Sequence, residues 1–152
     1  EIGVGKGVAS TFRRIPGNFI PINVGKPAPA GVDATGKKNR DRYSNLKAWC
    51  WWELRNRLKK THELLIWLKN PGDERGYEWP MDECLLLNPE DREMGKQICQ
   101  PEFKLLESGK IQIESKDSLK RRGIPSPDQA EALILSLAPE PFKPQVRAVS
   151  YL

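Results

Sequence analysis

The 152-residue sequence has few histidines and cysteines, the residues on which many enzymes and secreted proteins depend. It contains one histidine, His62, in a charged segment typical of a surface, so a Ser-His-Asp or Cys-His nucleophile has little support. The three cysteines are widely spaced and form no CxxC pair; they are Cys50, Cys84 and Cys99. This spacing argues against a structural zinc site and is typical of a reduced, intracellular protein, with Cys50 as a small core residue.

Long apolar runs and nucleotide-binding loops are also absent. No apolar stretch approaches the roughly 18 residues of a membrane span, and no signal-peptide pattern occurs, so we expect a soluble protein. The glycines of residues 3–7 match neither the GxGxxG pattern, whose last glycine is replaced by Val8 or Ser10, nor a P-loop. A plain turn explains these glycines, and no internal repeat is present.

Positive charge is in excess, with 25 Lys+Arg against 20 Asp+Glu and a pI near 9.2. Such a balance favours a polyanionic partner such as nucleic acid or an acidic membrane, although a basic domain with neither partner explains it equally well. The basic residues form two clusters: Lys116, Lys120, Arg121 and Arg122, and Lys37, Lys38, Arg40 and Arg42. Clusters of this kind are usually solvated faces, but beside an acid they suit contact with phosphates.

Hydrophobic periodicity predicts a long helix from residue 43 to about 59, buried more than halfway round, with its tryptophans in the core. Residues 61–69 either continue this helix or form a second one. Residues 102–106 and 110–114 flank a Glu-Ser-Gly turn and predict a β-hairpin. Residues 117–122 predict a short helix that Gly123 ends. Residues 25–40 predict a mobile or functional loop, and residues 82–97 are helical candidates.

A capped helix follows, with Ser126 as its N-cap, Pro127 in its first turn and Gln129 completing a capping box. Asp128 lies in that first turn, where an acid can simply complement the helix dipole for roughly 0.3–1 kcal/mol. It is also close to the basic cluster, and a carboxylate on a rigid helix start is a good ligand for Mg²⁺ or Mn²⁺. Glu131 shares its helical face, and we expect a solvated surface acid there. Two-metal phosphodiester cleavage needs several acids, so Asp128 alone is an incomplete site.

Four segments of the sequence together carry a resemblance to a known family. They are Gly-Val-Gly-Lys-Gly-Val at residues 3–8, residues 43–55 around Trp-Cys-Trp-Trp, Ile-Gln-Ile-Glu-Ser-Lys-Asp at 111–117, and Ser-Pro-Asp-Gln-Ala-Glu-Ala-Leu at 126–133. In this order they resemble the C-terminal nuclease domain of the tailed-phage terminase large subunit, also found in prophages. The resemblance implies an α/β fold, a ribonuclease H-like mixed sheet flanked by helices, over residues 1–138. Residues 139–152 would be a proline-rich tail.

The resemblance further implies a Mg²⁺- or Mn²⁺-dependent endonuclease with a two-metal site, which cuts concatemeric double-stranded DNA during packaging. Its implied partners are the terminase ATPase domain, the small subunit and the portal, in the host cytoplasm and with no membrane. The family's last metal-binding acid matches Asp128, and its next acid in that segment is Glu131 here. Its middle acid is either Glu1 or the residue before it. We expect Lys116 near the scissile phosphate as a catalytic residue.

The residues expected to bind DNA are those of one basic cluster: Lys116, Lys120, Arg121 and Arg122. The family's first acid lies on an opening strand that precedes Glu1. We therefore expect an N-terminally truncated domain that lacks its first strands and has weak or no activity by itself. A non-catalytic basic DNA-binding or docking module, which holds no metal and binds in a salt-dependent way, is the alternative. A third hypothesis is a structural fragment without activity of its own.

Overall fold

The computed structural model describes residues 22–70 and 81–139 of the chain. In chain order, the elements are α1 (Asn39–Arg42), α2 (Leu46–Lys69), a 3-10 helix (Met81–Glu83), α3 (Arg92–Cys99), β1 (Phe103–Leu105), β2 (Ile111–Ile113), α4 (Lys116–Arg121) and α5 (Asp128–Ser136). Helix α2 packs against β2 and α5, and α3 packs against α5. None of the described helices is long and apolar enough to cross a membrane. The predictions for Glu1, the glycine turn and the proline-rich tail lie outside the described residues.

Helix α2 is one continuous helix of 24 residues, so residues 61–69 extend the predicted helix instead of forming a second one. It starts later than predicted. The Asn45 side chain accepts a hydrogen bond from the Ala48 N–H at 2.9 Å, which caps the helix at this point. Tyr43, predicted as helical, is extended and forms a parallel bridge with Ile111. The chain thus lies beside β2 before it turns into α2.

The core lies between α2 and α5. Cys50 and Leu54 of α2 are buried against Ala130 and Ile134 of α5. Trp51 is buried in the same cluster, which confirms that this tryptophan belongs to the core. Burial raises the pKa of the Cys50 thiol to about 11, and all three cysteines are free, in agreement with their spacing.

The hairpin and the short helix after it are confirmed. Strands β1 and β2 pair antiparallel with Phe103 opposite Ile113, and Gly109 in their turn has a φ of +73°. Gly123 ends α4 with a φ of +70°, a conformation that favours glycine. The described residues therefore form an α/β arrangement with a small antiparallel sheet. Within residues 22–70 and 81–139 the larger mixed sheet of a ribonuclease H-like fold is not seen, and it stays an expectation.

Side-chain hydrogen bonds order two less regular regions. The loop of residues 25–40 is held by Asp33, whose Oδ1 accepts hydrogen bonds from the Thr35 and Lys37 N–H groups and whose Oδ2 lies 2.8 Å from Arg42 Nη1. It is therefore a braced turn that leads into α1. Helix α3 begins only after Asp91, whose carboxylate accepts from the Met94 N–H at 2.9 Å. The helix predicted before it is reduced to the single 3-10 turn.

The predicted capping box at the start of α5 is wrong. The N-cap position is Pro127, which provides no side-chain cap, and Ser126 lies outside the helix. The Ser126 hydroxyl instead donates to Asp128 Oδ1 at 2.6 Å. A hydrogen bond to a carboxylate is stronger than one between neutral groups, so the serine satisfies the acid and not the backbone.

A residue from another helix caps α5. Gln97 of α3 accepts hydrogen bonds through Oε1 from the backbone N–H groups of Gln129 at 2.9 Å and Ala130 at 3.3 Å. Its amide nitrogen donates to Glu93 Oε1 at 3.0 Å, which fixes the orientation of the amide. Gln97 is buried, and no sequence pattern links it to α5. The packing of α3 therefore sets the position at which the Asp128 helix begins.

We predict that Gln97→Ala lowers the free energy of unfolding by about 1–2 kcal/mol, because two helix N–H groups lose their acceptor. Urea denaturation measures this value. The matched control is Gln129→Ala, since the structure gives the Gln129 side chain no capping role. We expect the control to stay within about 0.5 kcal/mol of the unmodified chain. A larger loss for Gln129→Ala than for Gln97→Ala would restore the capping box.

Candidate functional site

Two helix starts form the candidate site. Strand β2 leads directly into α4, which begins at Lys116 after a Ser115 cap, and α5 begins at Asp128. The Lys116 Nζ lies 3.2 Å from Asp128 Oδ1 and 2.7 Å from Glu131 Oε2. The fold thus brings together the lysine and the two acids that the sequence places in separate segments.

A second lysine, which the sequence analysis missed, completes this group. The Lys47 Nζ lies 2.9 Å from Glu131 Oε1, so each oxygen of the Glu131 carboxylate faces one ammonium group. The Glu131 side chain is only 19% exposed, and the expectation of a solvated surface acid is therefore wrong. Lys47 lies 84 residues away in sequence, and only the packing of α2 on α5 brings it here. We call Lys47, Glu131, Lys116 and Asp128 the ion-pair network.

Asp128 is the solvent-facing end of the network. Its side chain is 76% exposed. The hydrogen bond from the Ser126 hydroxyl, followed by the contact with Lys116, holds the pKa of Asp128 below its usual value. The hydrogen bond to Glu131 raises the pKa of Lys116, and Asp128 adds to this shift. At neutral pH the network therefore presents an ionised, accessible carboxylate beside a protonated lysine.

The donor set suits one ligand of a hard divalent cation. Both contacts of the Asp128 carboxylate reach Oδ1, and no hydrogen bond joins Oδ2 to another described residue. A carboxylate oxygen of this kind can bind Mg²⁺ or Mn²⁺. Across the described ranges, no three His, Cys, Asp or Glu side chains converge on one point. Asp128 can thus provide one ligand here, and Glu1, the other predicted ligand, lies outside the described residues.

The basic cluster divides into two parts. Lys120 and Arg121 are exposed on α4, and neither forms an ion pair with another residue of the described chain. Arg122 differs, since its Nη1 lies 2.5 Å from Glu114 Oε2 and its Nη2 lies 2.8 Å from Glu102 Oε1. Arg122 therefore ties α4 to both strands at the open end of the hairpin, and its charge is already balanced. Lys120 and Arg121 remain the better candidates for phosphate contact.

The second basic cluster is similarly divided. Arg42 pairs with Asp33, and the Arg40 Nε donates to the Ala28 carbonyl at 3.4 Å, so both arginines brace the loop. Lys37 and Lys38 are exposed beside it. These two lysines can reach a partner, but nothing in the described residues connects them to the ion-pair network.

Comparison with known proteins gives matches in structure. No family model matches the sequence, and no curated protein matches it significantly. The nuclease domain of the large terminase subunit gp2 of bacterial virus Sf6 matches with a TM-score of 0.65 and 22% identity, covering 88% of this chain and 60% of that one. A lysine-to-alanine variant of that domain with manganese and β-thujaplicinol matches over the same shares, with a TM-score of 0.67 and 20% identity. A form with calcium gives a TM-score of 0.64 at 22% identity.

These likenesses establish the class of fold: the chain is folded like a nuclease domain of a phage terminase. They confirm the resemblance to terminase nuclease domains at the level of the fold. The chain spans about 60% of the length of the solved domains that it matches. At 20–22% identity the likeness concerns the fold, and the activity is argued below from the residues of this chain.

We predict that Ser126→Ala raises the pKa of Asp128 toward its usual value, because the hydrogen bond that favours the carboxylate is lost. Because the pKa of Asp128 is lower in the folded than in the unfolded chain, its contacts stabilise the fold at a pH above the unfolded-state pKa. This stabilisation is lost as the pH falls through the folded-state pKa of Asp128. A carbon-13 NMR titration of the Asp128 carboxyl measures the shift. Ser136→Ala, on the same helix, is the control and should leave the titration unchanged. An unchanged titration in Ser126→Ala would show that the hydroxyl does not act on Asp128.

Proposed function

We propose that this chain is the nuclease module of a phage DNA-packaging terminase large subunit, a metal-dependent endodeoxyribonuclease that cuts concatemeric double-stranded DNA. One observation supports this above all others. The exposed, ionised Asp128 lies at a rigid helix start, 3.2 Å from the ammonium group of Lys116, on a fold shared with terminase nuclease domains. A metal ligand beside a cation that can contact phosphate would provide two of the parts of a phosphodiester-cleaving site, and further acids would complete its metal centre.

Asp128 would hold Mg²⁺ or Mn²⁺, with Glu1 as the proposed second protein ligand. The bound ions would supply an activated water and stabilise the leaving oxygen. The matched terminase domains with manganese and with calcium support a divalent cation as the cofactor. Within the chain itself, Ser126 and Lys116 keep Asp128 ionised at neutral pH, which a metal ligand must be.

The basic residues would bind the substrate backbone. The Lys116 side chain is 53% exposed, and its ammonium group lies 3.2 Å from Asp128 Oδ1. In this position it would contact the scissile phosphate of DNA bound at Asp128. Lys120 and Arg121 follow it on α4 and would bind neighbouring phosphates, a contact that positions DNA without specifying its sequence. Arg122, with its charge balanced by two glutamates, would hold α4 in place for them.

As part of the same proposal, the chain would act in virion assembly in the host cytoplasm. Its partners would be double-stranded DNA, the terminase ATPase domain, the small subunit and the portal. The likeness in fold to terminase nuclease domains supports this proposal of partners.

We predict that Asp128→Asn lowers Mn²⁺ affinity and Mn²⁺-dependent cleavage of plasmid DNA by at least about a hundredfold. Removing a residue that only orients a metal ligand already costs up to about a hundredfold, and Asp128 would be a ligand itself. Calorimetry and a nicking assay measure the two effects. Asp117→Asn, an exposed acid on α4, is the control and should change neither. Cleavage that survives Asp128→Asn would refute the nuclease proposal.

The docking-module alternative has one observation in its favour: Lys120 and Arg121 are exposed on α4 and form no ion pair with another described residue. Salt dependence tests the basic surface in either case. We predict that Lys120→Gln/Arg121→Gln reduces the slope of log affinity against log salt by about 2, because each residue contributes about one phosphate contact. The control is Lys59→Gln, at a lysine of α2 whose side chain is 65% exposed, and this variant should leave the slope unchanged. Tight, Mn²⁺-independent binding without any cleavage would favour the docking module.

A further inference from the structure

The Glu131 carboxylate is shared between two lysines from different parts of the fold. Lys47 of α2 contacts Oε1 at 2.9 Å, and Lys116 of α4 contacts Oε2 at 2.7 Å. The side chains of Lys47 and Glu131 are 17% and 19% exposed, whereas that of Lys116 is 53% exposed. The Lys47–Glu131 pair is thus the sheltered part of the network, and Lys116 is a more exposed part of it.

Lys47 is well placed to act as an anchor, because the start of α2 is fixed on several sides. Its own N–H donates to the Val24 carbonyl at 2.9 Å, and the preceding N–H of Leu46 donates to the Lys26 carbonyl at 2.7 Å. Asn45 caps the helix at the same point. Because the backbone that carries Lys47 is already fixed, its pairing with Glu131 costs side-chain entropy but no further backbone entropy.

We propose that Lys47 is a positioning residue for the candidate site: it holds Glu131 so that Lys116 stays between Glu131 and Asp128. Asp128 and Lys116 are the groups assigned to metal and phosphate, so the catalytic part of this inference rests on the proposed function. Lys47 itself would touch neither. The observation that carries the inference is the continuous series of contacts from Lys47 to Asp128.

Charge balance gives the reason for such a role. A partly buried carboxylate needs its counter-charges, since it has lost much of its hydration. If Lys47 were removed, Glu131 would retain Lys116 as its one cation within the network. The flexible Lys116 side chain would then be drawn onto both Glu131 oxygens and away from Asp128, to which its contact is the longer one, at 3.2 Å.

The first test needs neither metal nor DNA. In the complete chain, we expect Lys47→Met to shift the NMR signals of Lys116 ¹⁵Nζ and Asp128 ¹³Cγ at a single pH, although neither residue touches Lys47. Lys59→Met makes the same charge change on the same helix, at a side chain that is 65% exposed, and should leave both signals in place. Unchanged signals in a folded Lys47→Met chain would overturn the inference. If that variant does not fold, Lys47→Gln provides the same comparison.

The second test is kinetic. We expect Lys47→Met to lower kcat for Mn²⁺-dependent cleavage about tenfold, the size typical of a supporting group, with KM for DNA unchanged. Lys47→Arg should restore most of the rate, because its guanidinium can still pair with Glu131. The double variant Lys47→Met/Glu131→Gln should be no slower than Glu131→Gln alone, since Lys47 acts through that carboxylate.

The outcomes separate the two proposals. A higher KM with unchanged kcat, or additive losses in the double variant, would overturn the positioning role and make Lys47 an independent contact. If neither this chain nor a version extended upstream by about one strand and its hairpin binds Mn²⁺ or cleaves DNA, the proposed function fails. The NMR comparison would still decide whether Lys47 positions Lys116 and Asp128.

Discussion

The packing of α5 against α2 is the constraint on which the candidate site depends. Burial of Cys50 and Leu54 against Ala130 and Ile134 fixes the distance and rotation between the two helices. At a period of 3.6 residues per turn, fixing this buried face also fixes the face that carries Glu131. The ion pair with Lys47 can form only because the apolar contact has already set that geometry. The polar network is thus built on the core and does not substitute for it.

Two further contacts determine where the ends of the network lie. Gln97 caps α5 from α3 and so fixes the turn that carries Asp128, while Arg122 binds Glu102 and Glu114 and so fixes α4 against the hairpin. Each is a polar group satisfied by a partner on another element of the fold. Buried or half-buried polar groups have strict geometric requirements, because leaving one unpaired costs free energy that a small domain does not have in excess. The two helix starts are therefore held in one relative position.

Local features were predictable from the sequence, and tertiary ones were not. The hairpin and the end of α4 depend on glycines with positive φ and on alternating side chains, and a window of a few residues contains that information. The pattern around Ser126 was equally local but misleading, because it ignored the competing carboxylate at Asp128. Gln97 and Lys47 could not be found in this way, since their partners lie 32 and 84 residues away. The resemblance marked the segment that contains Lys47 without assigning that lysine a role.

Exposure increases along the network, from 17% at Lys47 and 19% at Glu131 to 53% at Lys116 and 76% at Asp128. A sheltered ion pair is weakly screened by salt and holds its geometry, whereas an exposed carboxylate exchanges water readily and can accept a cation. For the proposed metal ligand Asp128, rigid support and accessibility would thus come from opposite ends of one series of contacts. A substitution of Lys47, at the sheltered end, should therefore change the position of Lys116 relative to Asp128. A substitution of Asp128, at the exposed end, should change cation binding while the α2–α5 core remains intact.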